Sequence, residues 1–145
     1  MNPVSASPAP PFVQAALASP WTGRAARLAL VGAYLQGGIV KLADFPGAIA
    51  EQAHFGMTPP AFWAALTILV ELGGAMLILT GRWLWLGAGM LGVFTALAAL
   101  KANAFWTMQG SERFTAMNAF FEHVGLVGGF ALAAITGNRT ETGRA

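Results

Sequence analysis

Very few residues in this sequence can do chemistry. Six acids, eight Lys or Arg, two His and one Tyr are spread over 145 positions, and Cys is absent. Glu71 interrupts the apolar run 61–80, Lys41 and Lys101 stand at the far ends of two other runs, and Glu122 stands near the start of a fourth. A carboxyl in such a setting can hold or release a proton, and an amine can donate a hydrogen bond. Together they suit reversible proton or electron-carrier chemistry beside lipid. The lack of Cys excludes disulfides, thiolate nucleophiles, iron–sulfur ligation and thiolate zinc sites within this sequence. His54 and His123 have no His-x-x-x-His or His-x-x-Glu spacing, so no metal site is expected. The Gly pairs at 37, 73 and 128 follow no strand, which makes them helix-packing devices and not phosphate cradles.

The elements that must hold these residues follow from hydropathy. Hydrophobic residues make up 56% of the sequence and charged residues 10%, a balance that excludes a disordered polar tail or a nucleic-acid arm as the bulk of the molecule. About 20 apolar residues cross a bilayer core, and four such runs are present, at about 24–44, 61–80, 83–104 and 116–136. The expectation is an all-α integral membrane four-helix bundle with short loops. Ser19-Pro20 and Thr58-Pro59-Pro60 read as helix starts, Pro46-Gly47, Thr80-Gly81 and Gly137-Asn138 as stops. Residues 1–20 carry five Pro and read as a flexible tail, 138–145 as a polar C-terminal tail, and 47–57 as a short interfacial helix or loop. Trp63, Trp83, Trp85, Phe105 and Trp106 near the run ends suit an interfacial belt.

Depth and face turn this layout into a candidate site. Glu71 lies roughly 15 Å from either end of its run at about 1.5 Å per residue. A charge there costs about 2.5–3.5 kcal/mol against lipid, so it must be paired, protonated or turned inward. Thr67, Gly74 and Ala75 share its face, and Asn118, Gly125 and Gly129 share that of Glu122. The first and third runs end, and the second and fourth begin, on one side of the membrane. Lys41, Lys101, Glu71 and Glu122 are therefore expected to converge, with Glu71, Glu122 and Lys101 exchanging protons and Lys41, Tyr34, Asn118 and His123 lining the pocket of the carrier. Counting Lys and Arg at the run ends gives Arg24, Arg27, Arg82, Arg139 and Arg144 on the side of the termini, against Lys41, Lys101 and Arg113 opposite, which places both termini in the cytoplasm.

The run RLALVGAYLQGGIVKLADF, followed by ELGGAMLILTGRW, by the Phe-Trp of KANAFW and by GLVGGFALAA, resembles the DoxX family of small four-helix bacterial membrane proteins over about residues 24–136. The resemblance implies an inner-membrane location, and it implies kinship with subunits of thiosulfate:quinone oxidoreductase or membrane partners of redox complexes. Its matched polar positions are Lys41 and Glu71. The sequence departs from the family pattern at Asn103, where relatives have His before the Phe-Trp, and at Glu122-His123, where they have Lys-Asn.

Three functions compete on these grounds. The first is a quinone-interacting membrane subunit of a redox system, with no tightly bound cofactor and with electrons supplied by a redox partner protein. The second is a non-catalytic scaffold whose buried ion pairs set helix packing, and the third a small-solute transporter. The lipid bilayer is the expected surrounding, a homo-oligomer is compatible with the sequence, and nucleic acid is not an expected partner.

Overall fold

Proline and glycine punctuate the helices, largely where the sequence places them. The computed structural model describes residues 9–142, with side chains to residue 137. It comprises α1 (Pro11–Ala18), α2 (Pro20–Ala43), α3 (Phe45–His54), α4 (Pro60–Thr80), α5 (Leu84–Ala102), a 3-10 turn (Phe105–Thr107) and α6 (Gly110–Thr142). No strand occurs among the described residues. Pro sits in the first turn of each of the first four helices, where its missing N–H leaves no intrahelical bond unmade. Gly81 ends α4 with φ 71°, the left-handed cap that a residue without Cβ takes freely.

Two boundaries differ from expectation. Pro46-Gly47 starts a helix instead of stopping one. α2 ends at Ala43, and the Asp44 carboxylate accepts a hydrogen bond from the Gly47 N–H at 3.0 Å, so the chain turns by 110° into α3. The interfacial segment is thus a helix. Gly137-Asn138, expected to stop the last helix, lies within α6, which runs on to Thr142. A Gly inside a helix costs only about 1 kcal/mol, and the Leu84 side chain packs closely over Gly137. Within the N-terminal tail, α1 is a helix that buries no residue; residues 1–8 and 143–145 lie outside the described part.

α4, α5 and α6 are each long and apolar enough to cross a membrane, and α2 taken with α3 makes a fourth, bent segment. α2 carries Arg24, Arg27 and Lys41, and it reaches the length and apolarity of a span only together with α3. The helices pack in chain order: α2 on α4, α4 on α5, α5 on α6. Small residues permit the closest of these approaches. A Cβ on Gly87 would lie 2.7 Å from the Gly74 carbonyl oxygen, and one on Gly38 would lie 2.7 Å from the Leu72 side chain. α2 and α6 meet only narrowly, through Leu30 against Gly129 and Tyr34 against Phe130. The core is Val31, Tyr34, Ala75, Ile78, Ala88, Leu91 and Phe130.

A buried ion pair between α2 and α4

The face of α4 that carries Glu71 turns inward. Thr67, Glu71, Gly74 and Ala75 are all buried, as a carboxylate that cannot face lipid requires. Its partner comes from the last turn of α2, where Lys41 lies antiparallel to α4. The Lys41 Nζ donates to Glu71 Oε1 at 3.3 Å and Oε2 at 3.5 Å. The Glu71 side chain is 7% exposed, that of Lys41 16%. A second carboxylate arrives from α3: Glu51 Oε2 lies 3.9 Å from the same nitrogen, on a side chain 45% exposed. Lys41 therefore stands between a buried acid and one that faces outward.

Gly37, one turn before Lys41, abuts this pair. A Cβ there would lie 3.5 Å from Lys41 Nζ and 3.5 Å from Glu71 Oε2, so the pair rests against the glycine backbone of α2. Tyr34, a further turn away, is buried. Its hydroxyl shares a 2.5 Å hydrogen bond with Thr95 Oγ1, which also donates to the Leu91 carbonyl oxygen at 2.6 Å. Phe94 and Phe130 hold the Tyr34 ring edge-on.

The expected four-charge convergence is not what the structure holds. Lys41, Glu71 and Tyr34 lie on the inner faces of α2 and α4, while Lys101, Asn118 and Glu122 are exposed. No hydrogen bond or ion pair reaches these three among the described residues, and Glu51 takes the place expected of Glu122. Helix order explains the difference, since Lys101 and Glu122 belong to α5 and α6 while the ion pair lies between α2 and α4. Depth adds to it. Gly137 packs against Leu84, and at about 1.5 Å per residue from that level Glu122 is roughly 22 Å and Lys101 roughly 26 Å along the bundle. Both stand near the ring cluster of Phe105, Trp106, Phe120 and Phe121, the kind of aromatic girdle found at the lipid–water boundary. Exposure is tolerable there. His123 turns about 100° away from Glu122 and lines a shallow apolar cleft of about 220 Å³ between α5 and α6, with its Nδ1 2.6 Å from the Ala119 carbonyl oxygen.

Reasoning from sequence missed two members of the site. Glu51 lay in the interfacial segment, and only the turn at Asp44 folds it back over Lys41. Gly37 looks like a helix-packing residue in sequence, although its place one turn before a membrane lysine is a usable signal. Among the described residues, no group of three His, Asp or Glu could hold a metal.

The DoxX family profile matches residues 24–104, a segment that contains Tyr34, Gly37, Lys41, Glu51 and Glu71. The inner membrane protein YphA of Escherichia coli (strain K12) is similar, 30% identical over 112 residues that cover 77% of this chain and 80% of the relative. No solved structure matches. With its apolar helices and its length covered in this way, the chain is a multi-pass inner-membrane protein and belongs to the DoxX family.

Proposed function

We propose that this protein is a membrane subunit of a redox system and that it meets quinone at the Lys41–Glu71 pair. Gly37 is the observation that carries the reading. Beside it on α2, Ala33, Gln36 and Val40 are exposed, and any side chain at position 37 would stand against the pair, in the space left there by the glycine. A carbonyl arriving from the lipid there would accept a hydrogen bond from Lys41 Nζ. Glu71 would hold the proton to be transferred, and Glu51, nearer to water, would restore it through the shared ammonium. Conversion of a quinone to a quinol takes two electrons and two protons, so a redox partner protein supplies the electrons. In this reading the partner, or a second copy of the chain, docks on α6, which is far less buried than α4 or α5.

A second reading is a non-catalytic scaffold or assembly partner of a redox complex. It is favoured by one fact: among the described residues, no buried side-chain nitrogen or oxygen lacks a hydrogen-bond partner, so the polar groups are explained by packing alone. Binding of a short-tailed ubiquinone analogue to the purified protein separates the two. Lys41→Met should weaken binding about ten- to hundredfold, as the loss of its charge-assisted hydrogen bond to the carbonyl implies, whereas Lys101→Met should leave it unchanged. Absence of binding, or binding that survives Lys41→Met while the melting temperature falls, establishes the scaffold.

A further inference from the structure

Among the described residues, the opposite end of the bundle holds positive charge without a counter-charge. Arg24 and Arg27 stand one turn apart on α2, and Arg82 follows Gly81 in the turn between α4 and α5. Arg27 is half-buried, and its guanidinium is packed against that turn: a Cβ on Gly81 would lie 2.6 Å from Arg27 Nη1. Among the described residues, both ion pairs belong to Lys41 at the far end, and no hydrogen bond or ion pair reaches Arg24, Arg27 or Arg82. In sequence the stretches that form this corner, 20–27 and 80–86, carry Arg24, Arg27 and Arg82 and no acid.

Exposed tryptophans fix the depth of the corner. Trp21, Trp83 and Trp85 are all more than half exposed, and the Arg24 guanidinium lies over the Trp21 ring, 4.9 Å from its centroid. Such rings settle at the level of the lipid headgroups. α5 begins beside Arg82, so the positive end of its backbone dipole adds to the same field. A half-buried guanidinium at that level, with no carboxylate to meet it, suits a phosphate, whose oxygens accept paired N–H donors.

We propose that the corner formed by α2 and the α4–α5 turn binds the phosphate of an anionic phospholipid between Arg27 and Arg82, with Arg24 at its rim. Neither the quinone reading nor the scaffold reading is needed for this. The lipid is an acyl-anchored ligand of the membrane leaflet on the side of the termini, and it holds α2 to the α4–α5 turn where the described residues supply no ion pair.

The test uses the full chain in phosphatidylcholine bilayers with and without phosphatidylglycerol. Retained lipid is counted by native mass spectrometry, and thermal unfolding is measured in parallel. Wild type should retain phosphatidylglycerol in preference to phosphatidylcholine and melt higher in its presence. Arg82→Gln, at an exposed position, should reduce the preference about fivefold, and Arg27→Gln with Arg82→Gln roughly twenty-five-fold. Lys101→Met, which removes a cation from the other end, should change neither. Equal retention by wild type and Arg82→Gln overturns the proposal, as does an equal loss in Lys101→Met. So does a full thermal shift from inorganic phosphate in phosphatidylcholine alone, because that assigns the corner to a soluble anion.

Discussion

Removing Lys41 should damage the fold more than removing the charge of Glu71, and the geometry says by how much. In Lys41→Met the Glu71 carboxylate stays buried between α2 and α4 with no cation near it, because Lys41 is the base in both ion pairs of the described residues. Breaking a buried pair from one side costs about 3–5 kcal/mol. The partial exposure of Lys41 argues for the lower end, about 3 kcal/mol. In Glu71→Gln the ammonium keeps Glu51 at 3.9 Å and the amide oxygen still accepts from Nζ, so the loss should be about 1–2 kcal/mol. The double variant should be less destabilised than the sum of the singles, because neither residue then strands a buried charge. A coupling of about 1–3 kcal/mol is expected for groups in contact. Reversible unfolding in mixed detergent micelles, with a double-mutant cycle, measures all three. Additive effects, or a larger loss in Glu71→Gln than in Lys41→Met, would refute the placement of Lys41 between two acids.

Other positions test the packing order. Gly87→Ala puts a Cβ 2.7 Å from backbone oxygen on α4 and should cost about 1–3 kcal/mol, whereas Gly125→Ala, inside α6 with nothing within 4 Å, should stabilise by up to about 1 kcal/mol in the same unfolding assay. Tyr34→Phe should cost about 1 kcal/mol, since Thr95 keeps its bond to the Leu91 carbonyl; a normal far-ultraviolet spectrum would confirm that only this contact is lost. Lys101→Met and Glu122→Gln should each be nearly neutral, within about 0.5 kcal/mol, and additive when combined. Measurable coupling between those two would restore the four-charge cluster.

Hydropathy made the membrane helices legible because lipid leaves the backbone no alternative to internal hydrogen bonding. Residues 61–80 became α4 (Pro60–Thr80), and residues 83–104 became α5 (Leu84–Ala102) with its 3-10 extension. Pro46 and Gly137 misled for a common reason. Each is a breaker only in isolation: Pro46 was absorbed into the first turn of a new helix capped by Asp44, and Gly137 was held helical by a neighbour it packs against. Local propensity cannot see a capping carboxylate or a leucine from another helix. The inward turn of Glu71 was legible, since one helix face bears Thr67, Gly74 and Ala75. The same argument failed for Glu122, although Gly125 and Gly129 share its face.

The contrast between those two acids defines what a small-residue stripe can establish. Gly74 is small because α5 crosses within contact of its backbone, while on the Glu122 face Gly125 meets nothing within 4 Å and Gly129 meets only the Leu30 side chain of α2. Spacing alone predicts a smooth surface, but not which neighbour lies on it. Depth decided which acid had to be buried. Glu71 sits too far from either boundary for its short side chain to reach water, so folding had to supply a cation. Glu122, at the aromatic girdle, had no such need. Lys41 could serve Glu71 because α2 lies against α4 and a lysine stem reaches inward from the helix end. Lys101 has an equivalent stem but sits on α5, at the level of the girdle. Helix adjacency, which no single helix encodes, therefore selected one amine from two that looked alike in sequence.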